Sequence, residues 1–493
     1  MKYLIQTLGC AMNYSDSERV AAVLEKIGYK KGENVEETDL FIFNTCSIRQ
    51  KGEDRVYGFL KNLEFQKKRN PRLLVGITGC MVRSTSSRNS EKEIKDEIIK
   101  KIDTVDFVFR ITDTQKLADI LLEAEPQLDL PQLETPLTDE PKISEADQQE
   151  TANGSENSQT SASRNLKDYL KIKPKYSTKF SAFVPIQIGC DKYCTYCIVP
   201  YARGREQSRP LPEILAECKT LIEQGCKEIT LVGQTVNSYG ISGLDKKSGL
   251  FDELYNRNQE PFVQLLTEIN KLKDSGLNRL RFISSHPHDY TDALIQAHVD
   301  LEVLCPHFHL PIQSGSDAVL KKMNRKYTVE DYKKIISKIR EKMPNAAITT
   351  DIIVGFCSET DEQFEETYDI FKEIRWDMAY ISRYSPRRGT VSFNAFKDDV
   401  SREEKARRWH KSNSILTECS HEKHEAMVGK ILEVLVERYI ESTGECEGKS
   451  RETKVVQFKG SPDLVGAIVE VKATQALDWL LKGEAQGRKT NLI

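Results

Sequence analysis

Gly189–Glu206 reads GCDKYCTYCIVPYARGRE and sets Cys190, Cys194 and Cys197 at a C-x3-C-x2-C spacing in one short loop. Three thiolates this close in sequence can hold three corners of a cubic four-iron, four-sulfur cluster, whose full ligation takes four cysteines. The next cysteine, Cys218, lies well past the loop, so one iron would stay open to a small ligand. A molecule with free amino and carboxylate groups can chelate such an iron, and S-adenosylmethionine carries both. A structural zinc site or buried thiols are the competing readings. Zinc sites usually come as paired C-x2-C units or Cys/His sets with a closed fourth position, so the spacing favours iron and sulfur.

Three other cysteines fall at one kind of place. Cys10 follows the strand-like Tyr3–Leu8 in TLGCAMN, Cys46 follows Leu40–Asn44 in FNTCSIR, and Cys80 follows Leu73–Thr78 in ITGCM. Helical spacing runs through Asp16–Ile27, through Val56, Phe59, Leu60 and Leu63, and around Ile94, Ile98 and Ile102. Asp106–Phe109 is a candidate fourth strand. This alternation predicts a small, mostly parallel sheet with helices on its faces. The carboxyl ends of such strands lie on one edge, where ligands bind, so the three cysteines would meet at one rim. Three separate buried cysteines are the plain alternative. Placement after three successive strands favours a second three-cysteine cluster.

The elements that must position the C-x3-C-x2-C loop alternate in the same way. Strands are predicted at Phe183–Ile188, Glu228–Val232, Arg279–Ile283, His307–Leu310, Ile348–Val354 and Ala379–Tyr384. Helices are predicted between them, at Leu211–Glu223, Phe262–Leu272, Val329–Arg340 and Glu362–Ile374. Six such units predict a partial (βα)6 barrel with its chemistry at the strand carboxyl ends. The cysteine loop follows the first strand. GQTVNSYG, SSHPHD, PIQSGSD and GFCSETD follow later ones; each alone is ordinary turn chemistry, and together on one rim they read as a pocket lining.

The fold class expected is therefore α/β, in about three domains for 493 residues. Residues 1–125 form the first and 180–422 the barrel. From 423 on, Met427–Val436, Thr453–Phe458 and Val465–Val471 alternate like strands of a small β-barrel, with Gly466 at a bend. Barrels of that size often bind RNA, although Lys423–Ile493 balances eleven basic against eleven acidic residues. Arg402–Arg408 reads as an exposed helix face. Between the first two domains, 126–179 is an insert. Its 126–163 portion has no aromatic residue and a net charge of −7 against −3 for the whole chain, which predicts a disordered linker. Its basic end, Arg164 to Lys179, fits a solvated linker or a phosphate-contacting strip. With 39% hydrophobic residues, no membrane-spanning run and no signal peptide, a cytoplasmic monomer without membrane contact is expected. In that compartment twelve cysteines point to metal or catalysis rather than disulfides.

These motifs, in this order, resemble the radical S-adenosylmethionine methylthiotransferase family. TLGCAMN, NTCSIR, TGCM, GCDKYCTYCIVPYARGRE, GQTVNSYG, RFISSHPHD, HLPIQSGSD, MNRKYT, TDIIVGF and YSPRRGT carry the likeness. It spans nearly everything but the insert, and the C-terminal barrel is similar to a TRAM domain. NTCSIR, SSHP and NRKYT are similar to the branch acting on isopentenyl-adenosine in tRNA; sister branches act on threonylcarbamoyl-adenosine or on a ribosomal-protein aspartate. Ala11, Thr235, Cys357 and Arg388 depart from the family pattern without removing a cluster ligand.

The resemblance implies two [4Fe-4S] clusters. Cys190, Cys194 and Cys197 would hold the one that cleaves S-adenosylmethionine to a 5′-deoxyadenosyl radical. Cys10, Cys46 and Cys80 would hold the one that carries the sulfur to be inserted. The product would be a methylthio group at carbon 2 of the adenine at tRNA position 37, a C–H too little acidic for acid–base chemistry. Implied partners are the tRNA anticodon loop, an electron donor such as flavodoxin or ferredoxin, and a sulfur donor. Gln234, Asn237, Ser314 and Asp351 are candidate cofactor-pocket residues. Arg203 and Arg205 are candidates for contact with substrate or cofactor, and equally for structural salt bridges.

Overall fold

The structure, a computed structural model, describes residues 1–46, 50–82, 86–87, 102–130, 169–248 and 259–488. The helix expected around Ile94 and Ile98 and most of the insert, with Arg164, lie outside these residues. The described chain divides into two units, each with its own core. One comprises Met1–Ser177, Ile188–Asp191 and Ile198–Arg209, the other Thr178–Gln187, Lys192–Cys197 and Pro210–Ile493.

The first unit is built on a sheet of β1 (Lys2–Leu8), β2 (Lys30–Lys31), β3 (Leu40–Thr45), β4 (Leu74–Gly79), β5 (Ser86–Ser87) and β6 (Phe107–Val108), ordered β2-β1-β3-β4-β6-β5. All pairings are parallel except β5 with β6. Every residue of β3 and β4 is buried, as expected of central strands covered on both faces. Phe41, Phe43, Val75 and Ile77 pack on Val56, Leu60 and Leu63 of α2 (Gln50–Arg69), each worth roughly 1.5–3 kcal/mol of transfer energy. Helix α1 (Ala11–Lys26) starts five residues before the expected Asp16, with Cys10 at the N-cap position and its carbonyl accepting the Asn13 N–H at 2.9 Å.

In the second unit, β7 (Ser181–Pro185), β8 (Glu228–Val232) and β9 (Arg279–Phe282) form one parallel sheet, and β10 (His307–His309), β11 (Ala347–Val354) and β12 (Met378–Arg383) another. A parallel bridge pairs Leu280 of β9 with Leu304, on the segment that leads into β10. The six strands thus run in sequence order, with helices such as Leu211–Glu223, Val329–Lys342 and Asp361–Ile374 between them. This is the open (βα)6 barrel expected.

The same unit carries a closed barrel of β13 (Ile431–Ile440), β14 (Glu445–Ser450), β15 (Val455–Lys459), β16 (Ile468–Ala476) and β17 (Leu481–Arg488), ordered β13-β14-β15-β17-β16. Gly466 bends the chain with φ +81°. Buried arginines dock this barrel on β9. Arg279 donates to the carbonyls of Glu433 and Lys449 at 2.7 and 2.8 Å, and Arg281 to those of Ser450 and Arg451 at 2.8 and 2.7 Å. Helix Arg402–Glu425 corrects one expectation. Arg407 is exposed, but Lys405 and Arg408 are buried, because Arg408 reaches the buried Glu359 at 2.8 Å. No helix among the described residues is long and apolar enough to cross a membrane.

Candidate metal centres

The three central strands of the first unit end level. Leu8 pairs with Thr45 and Thr45 with Gly79. The ladder then runs one step further: the Cys46 N–H donates to Leu8 O at 2.9 Å and the Cys80 N–H to Thr45 O at 2.8 Å. Cys46 and Cys80 therefore leave neighbouring strands side by side, both buried. Cys10 comes to the same rim as the cap of α1. Asn13 holds it there: its Oδ1 accepts the Cys10 N–H at 3.2 Å and lies 3.4 Å from Cys10 Sγ. Asn13 Nδ2 donates to Asn44 Oδ1 and Thr45 O.

Two glycines allow this close approach. A Cβ on Gly9 would fall 2.2 Å from Asn13 Oδ1. One on Gly79, at φ +92°, would fall 2.3 Å from Thr45 O. Cys10 keeps an exposed face. The protein packed around its thiol pushes its pKa up, the neighbouring Cys80 adds to that, and Arg203 opposes it.

Arg203 ends the short helix Val199–Arg203 and points into this rim. Its Nε lies 3.4 Å from Cys80 Sγ, and its Nη2 pairs with Asp16 Oδ2 at 2.5 Å. Tyr169 Oη donates to the same carboxylate. Arg205 instead makes an exposed two-bond pair with Asp191, at 2.6 and 2.9 Å. Both arginines thus stand in ion pairs.

Of the other trio, Cys190 lies in the first unit and Cys194 and Cys197 in the second, four and seven residues further along the chain. Gly189, at φ +80°, could not carry a Cβ without meeting Arg205 O at 2.1 Å. The Cys197 N–H closes a turn on Cys194 O at 3.0 Å. Thr195 and Asn324 hold that turn: the Thr195 N–H donates to Met323 O at 3.1 Å, and Asn324 Nδ2 to Tyr193 O at 3.0 Å. Arg325 Nη1 then stands 3.4 Å from Cys194 Sγ.

Among the described residues no three His, Cys, Asp or Glu side chains are placed to share a single metal ion. A four-iron cube is larger than an ion, and each of its cysteines binds a different iron. An all-thiolate donor set with no carboxylate or imidazole fits that group.

The four candidate pocket residues behave differently from one another. Gln234 is half-buried and its Oε1 has no partner among the described residues. Asn237 is spent on structure, since its amide bonds His286 O at 2.9 Å and the His286 N–H at 2.8 Å. Ser314 bonds the Ser316 N–H inside its own turn and faces Thr367 Oγ1 at 3.3 Å. Asp351 Oδ2 lies 3.3 Å from His309 Nε2.

Residues not singled out from the sequence also contribute. Gln187 Oε1, after the first barrel strand, and Ser285 Oγ and His286 Nδ1, after the third, are buried with no partner among the described residues. Burial, with Arg325 and Lys192 nearby, holds the His286 pKa far below its ordinary value, so it stays neutral. No local pattern singles out Asn13, Asp16 and Arg325, because the partners that give them their roles, Asn44, Arg203 and Cys194, lie far along the chain. Asn13 sits in TLGCAMN and Arg325 in MNRKYT, and that placement beside the motifs was the only available signal.

Comparison with known proteins places three family models along the chain. Residues 2–109 match the uncharacterized protein family UPF0004, 184–371 the radical SAM superfamily and 425–485 the TRAM domain. The chain is 40% identical over 483 residues to the tRNA-2-methylthio-N(6)-dimethylallyladenosine synthase of Thermoanaerobacter sp. (strain X514), covering 98% of this chain and 92% of that relative. The protein of the same name from Bacillus subtilis (strain 168) is 38% identical over 488 residues, covering 99% and 86%. A more distant likeness is the solved radical S-adenosylmethionine methyltransferase TsrM from Kitasatospora setae, at 14% identity and TM-score 0.48 over 78% of this chain and 74% of that one.

Proposed function

The chain belongs to the radical S-adenosylmethionine tRNA methylthiotransferase family, and from that premise we propose that it converts N6-isopentenyladenosine at tRNA position 37 to its 2-methylthio derivative. The observation that carries this reading is the level ending of β1, β3 and β4, which brings cysteines to one rim apart from the C-x3-C-x2-C loop. A radical enzyme that only cleaves S-adenosylmethionine has no use for a second thiolate set.

In this reading Cys190, Cys194 and Cys197 hold one four-iron cluster and Cys10, Cys46 and Cys80 a second. When bound, the first group with S-adenosylmethionine supplies hydrogen-atom abstraction and the second supplies sulfur. The chain's own residues prepare both sites. Asn13 fixes the Cys10 backbone and Arg203 lies against Cys80 Sγ. Neutral His286 and the unpaired Gln234 and Gln187 oxygens offer hydrogen-bonding groups to a polar ligand at the strand ends. The target adenine must leave its stack to reach such a site. Residues 423–493, a small barrel and tail, grip the anticodon loop, 180–422 are the radical core and 1–125 the sulfur-carrying domain. A flavodoxin- or ferredoxin-type reductant and a separate sulfur donor complete the system, which acts in the cytoplasm as a monomer.

Nucleoside mass spectrometry of tRNA from a strain lacking this chain tests the reading. The expected result is loss of the 2-methylthio-isopentenyl nucleoside with accumulation of isopentenyladenosine. Loss of methylthio-threonylcarbamoyl-adenosine instead, or of a ribosomal aspartate modification, would overturn it.

A further inference from the structure

Each cysteine trio has one buried guanidinium against one of its sulfurs, and the two guanidiniums differ in what else they hold. Arg203 lies 3.4 Å from Cys80 Sγ while its terminal nitrogens face both oxygens of Asp16, at 3.4 and 2.5 Å. The two side chains are 2% and 0% exposed. A carboxylate therefore offsets this cation locally.

Arg325 is built otherwise. Its Nη1 lies 3.4 Å from Cys194 Sγ, its Nε donates to Tyr327 Oη at 2.8 Å, and its Nη2 donates to Pro311 O at 2.8 Å. The Tyr327 ring lies 5.0 Å from the guanidinium carbon. The two oxygen acceptors are neutral, and no carboxylate pairs with it among the described residues. Arginine does not shed its proton in proteins, and a buried cation without a counter-ion is strongly unfavourable. The anionic group available beside it is the thiolate of Cys194 and whatever that thiolate binds.

Charge and hydrogen bonds at the ligating sulfurs set an iron–sulfur reduction potential. An uncompensated cation favours the more negative, reduced cluster; a cation already paired with a carboxylate has much less effect.

We propose that Arg325 draws the first electron to the cluster of Cys190, Cys194 and Cys197, and that Asp16 cancels the equivalent pull of Arg203 at the cluster of Cys10, Cys46 and Cys80. The inference rests on the assignment of both trios as cluster ligands. The step is a single electron, taken from a one-electron reductant, that carries one cluster from the 2+ to the 1+ state; no bond forms or breaks. The asymmetry delivers reducing power to the site that spends it on S-adenosylmethionine and spares the sulfur-carrying site.

The test is a redox titration of the reconstituted chain with dithionite and mediators, followed by electron paramagnetic resonance. Cys46→Ala and Cys190→Ala backgrounds isolate the two clusters. At a fixed poise, Arg325→Gln is expected to lower the reduced-to-oxidised ratio of the Cys194 cluster about tenfold, which is about 59 mV for one electron. It is expected to leave the other cluster unchanged. Arg325→Lys, which keeps the charge, is expected to restore most of the ratio. Asp16→Asn is expected to raise the ratio at the Cys80 cluster by a similar factor. An unchanged ratio in Arg325→Gln, or an equal shift at both clusters, overturns the proposal. If Arg325→Gln does not hold iron, an unchanged ratio in Asp16→Asn overturns it. Failure of the underlying assignment shows separately, as a wild-type chain with about four irons instead of about eight.

Discussion

Asn13 and Asn44 hold each other across the sheet rim. Asn13 Nδ2 donates to Asn44 Oδ1 at 2.9 Å, and Asn44 Nδ2 donates back to the Asn13 carbonyl at 2.7 Å. Both side chains are wholly buried, so truncating one leaves the other unsatisfied, at a cost of about 1–3 kcal/mol. The same pair ties the Cys10 turn to the strand that ends at Cys46. Asn13→Ala is therefore expected to lower the unfolding temperature and to weaken iron retention at the Cys10 site while sparing the Cys194 site. Iron analysis in a Cys190→Ala background checks this; retention equal to that background alone would refute it.

The two trios make a simple stoichiometric demand. Cys46→Ala and Cys190→Ala should each remove one cluster, leaving about four irons and four sulfides per chain out of about eight. Anaerobic iron and sulfide analysis measures both. A variant that loses all its iron would show that the thiolates share one centre.

Much of this arrangement was legible in the sequence, and the exceptions have physical causes. LFIFN announces itself because central parallel strands are largely apolar, and the strands of the (βα)6 barrel do so by alternating with helical stretches. Glu445–Ser450 and Leu481–Arg488 do not: ECEGKS and LKGEAQGR are mostly polar, and their pairing comes from barrel closure. At Gly448 the backbones approach so closely that a Cβ would meet Leu435 O at 2.1 Å. Arg402–Arg408 looked solvated because four of its seven residues are basic, yet Arg408 is buried by a carboxylate 49 residues away. The Arg203–Asp16 pair spans 187 residues, and no local pattern encodes it. The spacing of Cys190, Cys194 and Cys197 is local, and so was readable.

Arg279 is the fastener between β9 and the C-terminal barrel. It is fully buried and bonds Glu433 Oε1 at 3.1 Å as well as two carbonyls of that barrel. Removing one partner of such a buried charge typically costs about 3–5 kcal/mol. Arg279→Ala is expected to loosen the barrel, seen as faster proteolysis near residue 430, and to weaken tRNA binding. Filter binding against unmodified tRNA and limited proteolysis measure the two effects; proteolysis at the wild-type rate would count against the fastener.

His298 sets a pH dependence whose sign follows from its surroundings. Its Nδ1 faces the Cys305 carbonyl at 3.2 Å and its Nε2 faces Tyr290 Oη at 3.1 Å. A carbonyl only accepts, so Nδ1 carries the proton and Nε2 accepts from the tyrosine. The neutral ring is thus satisfied, and burial lowers its pKa from 6.5 to about 3 despite the opposing carbonyl. Between these values the unfolded chain takes up a proton that the folded chain refuses. Stability must therefore fall as pH drops below 6.5, with a slope approaching about 1.4 kcal/mol per pH unit from this one group. Above that pH the group contributes no slope. Buried His286 and half-buried His307 are also held neutral and add to the same acid loss, so the diagnostic quantity is a difference. Denaturant unfolding between about pH 5 and pH 7 should give a shallower slope for His298→Gln than for wild type, whatever the absolute stability of the variant. Equal slopes would mean that His298 is protonated in the folded state as readily as in the unfolded one.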